Sequence, residues 1–184
     1  MNRRHAGVTD WGLKQVEIRT GDAVLDVGCG GGRTLAKLAG MAPEGRICGV
    51  DHSPASVAVA AKLSREGIAA GRIEVREASV EHLPYPEGAF DVVTAVETHF
   101  WWPDIVAGLR EIRRVLKPGG RLALIAEVHR GAGGRGASLA ESLLPAAGLK
   151  LLTVDEHREI LAAAGFGEIR IATQTAWICA TGRH

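Results

Sequence analysis

The sequence predicts an α/β domain built on one doubly wound, mostly parallel sheet of seven strands with an antiparallel last strand. Three observations predict it. Short apolar runs alternate with helical patterns, a glycine-rich turn follows the first such run, and two β-like runs meet almost back to back near residue 174. A length of 184 residues fits one domain, 1–184, able to bury its own core.

The elements follow in order. AVLDV (23–27) is the first strand, and RTLAKLAG (33–40) the helix after it. GRICGVD (45–51) is the second strand. In SPASVAVAAKLSREG (53–67), Ser53 is the N-cap, Pro54 takes the first helical position and Gly67 is the stop. RIEVREA (72–78) and FDVVTAV (90–96) are the third and fourth strands. PDIVAGLREIRRVLKPGG (103–120) is a helix closed by Pro-Gly-Gly, and RLALIAEV (121–128) the fifth strand. TVDEHREILAAAGF (153–166) is the last helix, with Thr153 and Glu156 spaced as a capping box. GEIRIAT (167–173) and TAWICAT (175–181) form a terminal hairpin.

Composition narrows the function classes. The chain is 46% hydrophobic with a formal net charge of +1 from 22 basic and 21 acidic residues. Wholesale nucleic-acid binding normally shows as a basic excess, so it is disfavoured. Cys29, Cys48 and Cys179 have neither disulfide-framework nor zinc-ligand spacing, which predicts no metal and a reducing, cytoplasmic home. The opening MNRRHAGVTDWGL lacks the apolar core of a signal peptide. No apolar run approaches the roughly 20 residues of a membrane span.

VLDVGCGGGRT (24–34) places the glycine-rich turn between strand one and its helix, where doubly wound domains bind nucleotides. Gly28, Gly30 and Gly32 read GxGxG; Arg33 stands where a dinucleotide fingerprint needs its third glycine, and no P-loop lysine follows. Asp26 suits a ligand carrying an ammonium or sulfonium rather than a diphosphate. Asp51 ends strand two at the position from which a carboxylate accepts ribose hydroxyls. A nucleoside with a cationic amino-acid tail meets both demands, and S-adenosylmethionine fits that description.

VLDVGCGGG, GVDHS, EHLPYPEGAFDVV and EIRRVLKPGG, in this order, resemble the successive motifs of class I S-adenosylmethionine-dependent methyltransferases. They are most similar to the small-molecule group that includes quinone-biosynthesis C-methyltransferases. The likeness runs from about residue 20 onward, ILAAAGFGEIRI included. It implies a Rossmann-like methyltransferase fold, S-adenosylmethionine as cofactor and S-adenosylhomocysteine as its product. It also implies that Asp26, Gly28 and Gly30 line the methionine end, Asp51 holds the ribose and His52 lies along the adenine. Ser79 stands where the family commonly has an aspartate facing the adenine amino group, and Val80 supplies a backbone contact. Cys29 and Val96 complete the cofactor set, Cys29 having the plain alternative of a small loop filler. Arg33 is a candidate partner for the methionine carboxylate or an exposed helix residue.

Methyl transfer from a sulfonium is an in-line displacement that needs alignment and exclusion of water, and a base only when the acceptor arrives protonated. Strand four runs into Glu97-Thr98-His99 and strand five into Glu127-Val128-His129. His99 or His129 is the candidate base, with Glu97 or Glu127 orienting it or contacting the acceptor; plain strand-end polar residues are the alternative. Phe100 and Trp101, with Trp102, are expected to wall an acceptor pocket, or else to pack under the next helix or form a homodimer contact. Trp11, in an N-terminal lid (1–20), and the connection 130–150 are expected to close the site over a small acceptor. Tyr85 reads as a surface loop residue, and Arg110, Arg113 and Arg114 as a solvated helix face. The expected activity is methylation of a small molecule. The alternatives are a nucleic-acid or protein methyltransferase, and a non-catalytic cofactor-binding module.

Overall fold

The computed structural model describes residues 5–132 and 149–184. The connection 130–150 therefore lies mostly outside the described residues, as do residues 1–4 of the lid. Strands β1 (Val24–Val27), β2 (Ile47–Asp51), β3 (Ile73–Glu77), β4 (Phe90–Val96), β5 (Leu116–Ala126), β6 (Gly167–Gln174) and β7 (Trp177–Arg183) form one sheet in the order β3-β2-β1-β4-β5-β7-β6. Every pairing from β3 to β5 is parallel, and β7 runs antiparallel to both β5 and β6. This is the predicted seven-stranded architecture.

Helices cover both faces because the central strands are apolar on both sides. Helices α5 (Ile105–Val115) and α6 (Val154–Ala163) pack Leu109, Ile112 and Leu161 onto Leu25, Val93 and Leu124. On the other face α1 (His5–Leu13), α2 (Arg33–Met41) and α3 (Pro54–Leu63) bring Val8, Leu35, Leu38 and Ala60 against Val24, Val92 and Ile125. Burying each such aliphatic side chain contributes about 1.5–3 kcal/mol. Among the described residues no helix is long and apolar enough to cross a membrane.

Caps fall where the chain signals them. The Ser53 hydroxyl accepts from Ser56 N–H with Pro54 at the first helical position, and Thr153 and Glu156 close a reciprocal capping box. Several boundaries differ from expectation. The helix after Ser53 breaks at Ser64, and Gly67 lies inside a short α4 (Arg65–Ala69) instead of stopping α3. There a side chain on residue 67 would run into Ile73, so the glycine serves close packing, and Gly71 at φ +70° makes the turn. Helix α5 stops at Val115 because Leu116 is already paired with Phe90; the Lys-Pro-Gly-Gly stretch is an irregularity inside β5, which resumes pairing at Arg121.

Two surface assignments are corrected. Tyr85 is buried, set edge-on to Phe90 at 4.9 Å between ring centroids, with the Arg46 and Arg76 guanidiniums against its ring. The arginines of α5 are more than a solvated face. Arg110 donates to Ala163 O and Arg113 to Gly165 O, while Arg114 pairs with Glu111 and donates to Tyr85 O and Leu83 O. They tie α5 to the end of α6 and to the 83–85 loop.

Candidate functional site

Parallel strands that all end on one edge leave their last residues facing a common crevice. Here the ends of β1, β2 and β4 and the residue after β3 contribute Val27, Asp51, Val96 and Ala78 to a cavity of about 660 Å³, within the range of small-molecule sites. The glycine turn forms its floor. Gly28 N–H and Cys29 N–H both donate to Val50 O, which folds the loop back over the end of β2. Gly28 and Gly30 take left-handed φ values of 74° and 51°. At Gly28 a side chain would also strike the Thr98 hydroxyl, so only glycine fits.

Asp51 joins the loop to α3. Its carboxylate accepts from Gly30 N–H at 2.8 Å and from Ser53 N–H at 2.9 Å, and it still lines the cavity. Each carboxylate oxygen keeps a second lone pair for a ligand hydroxyl. His52, Ser53, Ser56, Ser79 and Val80 continue the same wall.

Asp26 sits lower. It is 1% exposed, accepts from Thr94 Oγ1 at 2.7 Å, and does not line the cavity. Burial raises its carboxyl to about 7; the Thr94 hydrogen bond opposes the shift and the Asp51 charge adds to it. Cys29 is buried beneath the turn, and burial pushes its thiol well up, so it is inert as a nucleophile. Arg33 is exposed on α2 and is not part of the cavity lining.

The opposite wall is Val96, Glu97, Thr98, Trp101, Trp102 and Pro103. Glu97 holds φ at 57°, a conformation costing a non-glycine residue about 1–3 kcal/mol. Two contacts hold it there. Its N–H donates to Ile125 O at 2.9 Å, and its carboxylate accepts from Glu127 N–H. Burial raises the Glu97 carboxyl to about 7; the Glu127 N–H opposes the shift and the Glu127 charge adds to it. Trp102 is buried and donates from Nε1 to Thr98 Oγ1 at 3.3 Å, whereas Trp101 remains 60% exposed.

The other sequence candidates are not among the cavity-lining residues. His99 is buried with its ring against Phe100, Trp102 and His157, and is not among the cavity-lining residues. His129 is buried with Nδ1 2.9 Å from Ala176 O, at the β6–β7 turn. Trp11 packs on Trp177 at 6.0 Å between ring centroids, on the face covered by α1. Glu127 is half-buried and reaches the site through its backbone contact with Glu97.

Three residues that the sequence reading missed support the site. Thr94 holds Asp26, a partnership fixed by the β1–β4 register, which no local pattern encodes. His157 contacts His99; its buried position four residues before Leu161 on α6 was a readable stripe. Lys150 donates its ammonium to Trp102 O and Pro103 O and its N–H to Phe100 O, pinning the aromatic segment from outside.

Comparison with known proteins is consistent with this geometry. Residues 25–124 match the family described as a methyltransferase domain. The chain is 36% identical over 117 residues to 27-O-demethylrifamycin SV methyltransferase of Amycolatopsis mediterranei, covering 64% of this chain and 43% of that protein. It is 38% identical over 119 residues to demethylmenaquinone methyltransferase of Lactococcus lactis, covering 64% and 46%. The chain thus spans about half the length of the curated relatives it matches. In fold it is similar to geranyl diphosphate C-methyltransferase of Streptomyces coelicolor, solved with S-adenosyl-L-homocysteine, at a TM-score of 0.79 and 15% identity over 97% of this chain and 75% of that one.

Proposed function

The chain belongs to the methyltransferase-domain family, and from that premise we propose that it transfers the methyl group of S-adenosylmethionine to a small-molecule acceptor by in-line displacement. One observation carries this reading. The described cavity lining holds two carboxylates, Asp51 and Glu97, and no lysine or arginine. A donor with a sulfonium and an ammonium suits that field, and a dinucleotide diphosphate does not. The same lack of cationic lining argues against nucleic-acid substrates.

In this reading Gly28 and Gly30 let the methionine end approach the backbone, and Asp51 accepts the ribose hydroxyls. His52, Ser79 and Val80 flank the adenine, with Val96 on the opposite wall. Asp26 acts from beneath the loop as buried negative charge. Glu97, on the acceptor side, takes a proton from the incoming nucleophile; a carboxyl raised to about 7 is matched to that task at neutral pH. Acceptor attack then forms the bond to carbon as the carbon–sulfur bond breaks, and the sulfur leaves as a neutral thioether. Trp101 and Trp102 exclude water on that side. His99 positions the wall rather than touching the reacting atoms, and His129 is engaged at the β6–β7 turn by Ala176 O. The three cysteines, buried and unpaired, support a cytoplasmic home. The exposed face of Trp101 is used by the cavity in this account, so a homodimer is not required.

Labelled donor incubated with the protein and a small-molecule extract tests the reading. It expects label in a low-molecular-weight product, at least tenfold less with Asp51→Ala. Label confined to protein or nucleic acid would overturn it.

A further inference from the structure

On the acceptor side the cavity presents one carboxylate, Glu97, next to a wall containing Trp101 and Trp102. Glu97 N–H donates to Ile125 O, its carboxylate accepts from Glu127 N–H, and no lysine or arginine among the described lining residues neutralises it. Trp101 offers 60% of its surface, the largest exposure among the large apolar side chains of the chain's described part. An aromatic face beside an unneutralised carboxylate is the chemistry that holds an organic cation.

We propose that the methyl acceptor is a small amine, held as its ammonium between the Glu97 carboxylate and the Trp101 ring and deprotonated by Glu97 before transfer. The inference rests on the methyl-transfer reading above and adds the acceptor class. The ammonium passes one proton to the carboxylate, giving a neutral amine and a neutral carboxyl. The freed nitrogen pair forms the bond to the methyl carbon, the carbon–sulfur bond breaks, and its electron pair stays on sulfur. The methylated ammonium departs with the neutral thioether, and Glu97 returns its proton to solvent.

Charge selects this class over others. Deprotonating an ammonium cancels two opposite charges in a half-buried site, a step favoured where the dielectric is low. A phenol would only exchange the Glu97 carboxylate for a phenolate, so no opposite charges would cancel. An acceptor carrying phosphate or carboxylate would meet Asp51 and Glu97 with no lysine or arginine among the described lining residues to offset them. The upward shift of the Glu97 carboxyl follows from the same surroundings, burial first and the Glu127 charge among the rest, and a bound cation would relieve it.

Calorimetry on the full chain saturated with S-adenosylhomocysteine, whose sulfur is uncharged, separates this site from the donor's own charge. The probes are benzylamine, benzyl alcohol and benzoate at pH 8. Benzylamine, bound as the ammonium, is expected to bind at least tenfold more tightly than the alcohol, with benzoate weakest. Glu97→Gln should bring the amine down to the level of the alcohol. In the unaltered protein the preference should shrink as pH falls below about 7, where Glu97 is protonated while the amine stays charged; this arm holds even if the variant folds poorly. Equal binding of amine and alcohol, tighter binding of benzoate, or no binding of any probe to protein that takes up S-adenosylhomocysteine overturns the amine assignment and leaves the methyl-transfer reading standing. Failure of S-adenosylhomocysteine itself to bind overturns both.

Discussion

The Nε2 atoms of His99 and His157 lie 3.1 Å apart with both rings buried. The tautomers follow from the surroundings. His157 Nδ1 is 2.7 Å from Thr153 O, a carbonyl that only accepts, so Nδ1 carries hydrogen and His157 Nε2 accepts from His99 Nε2–H. His99 Nδ1 is then an acceptor, buried without a hydrogen-bond partner among the described residues. The pair joins the 3-10 turn His99–Trp101, which starts the aromatic wall, to α6. Both rings are neutral. Burial and then His157 push His99 down to about 3, and burial leads the downward shift of His157.

Acid should therefore loosen the wall. A histidine depressed in the folded state contributes stability above its ordinary value of 6.5, lost as pH falls toward the folded-state value. Melting temperature should drop between pH 6.5 and 4 in the unaltered protein, and drop less steeply in His99→Phe. The groups acting on His157, His129 and Glu156, are unchanged in that variant. An equal acid slope in both proteins, measured by scanning calorimetry, would refute the assignment.

Asp26 predicts the opposite trend. Its carboxyl is raised from 3.8 to about 7, so its stability contribution is complete below 3.8 and is lost as pH rises through 7. Asp26→Asn keeps an acceptor for Thr94 and removes the buried charge. The ligand-free variant should melt about 3 °C or more above the unaltered protein at pH 8, with the gap narrowing as pH falls toward 3.8. It should also bind the donor at least tenfold more weakly. Melting curves that coincide at pH 8 would argue that the carboxyl is ionised at no cost.

Gly28 and Gly88 provide a matched pair. Both have left-handed φ, 74° and 65°, but a side chain at 28 would hit Thr98 whereas one at 88 meets open space. Alanine at 88 should cost about 1–2 kcal/mol of stability and leave donor affinity intact. Alanine at 28 should cost more and lower that affinity at least tenfold. Equal effects at the two positions, by denaturant unfolding and donor titration, would remove the close-approach role of Gly28.

Local chemistry made much of this structure legible in advance. The strands announced themselves as apolar runs ended by glycine or a charged residue, and Ser53-Pro54 and Thr153-Glu156 marked helix starts by cap chemistry alone. The early start of β5 was hidden because Leu116 continues the helical apolar stripe and is drawn into the sheet only by Phe90. Tyr85 was misread because its cover, Phe90 and two arginines, comes from distant chain. At the site, the cavity-lining Gly28, Gly30 and Asp51 sit on recognisable motif positions. The partners Thr94 and His157 depend on strand register and helix docking, which sequence spacing does not carry. His99 and Glu97 are two residues apart, yet a left-handed turn at Glu97 sends one behind the wall and keeps the other on the cavity.

Calorimetric titration of S-adenosylhomocysteine against the full chain, alongside Asp51→Ala, tests the cofactor assignment most directly. The account predicts one molecule bound per chain, with affinity falling at least tenfold in the variant. Tight uptake of a nicotinamide dinucleotide with no response to S-adenosylhomocysteine would contradict it.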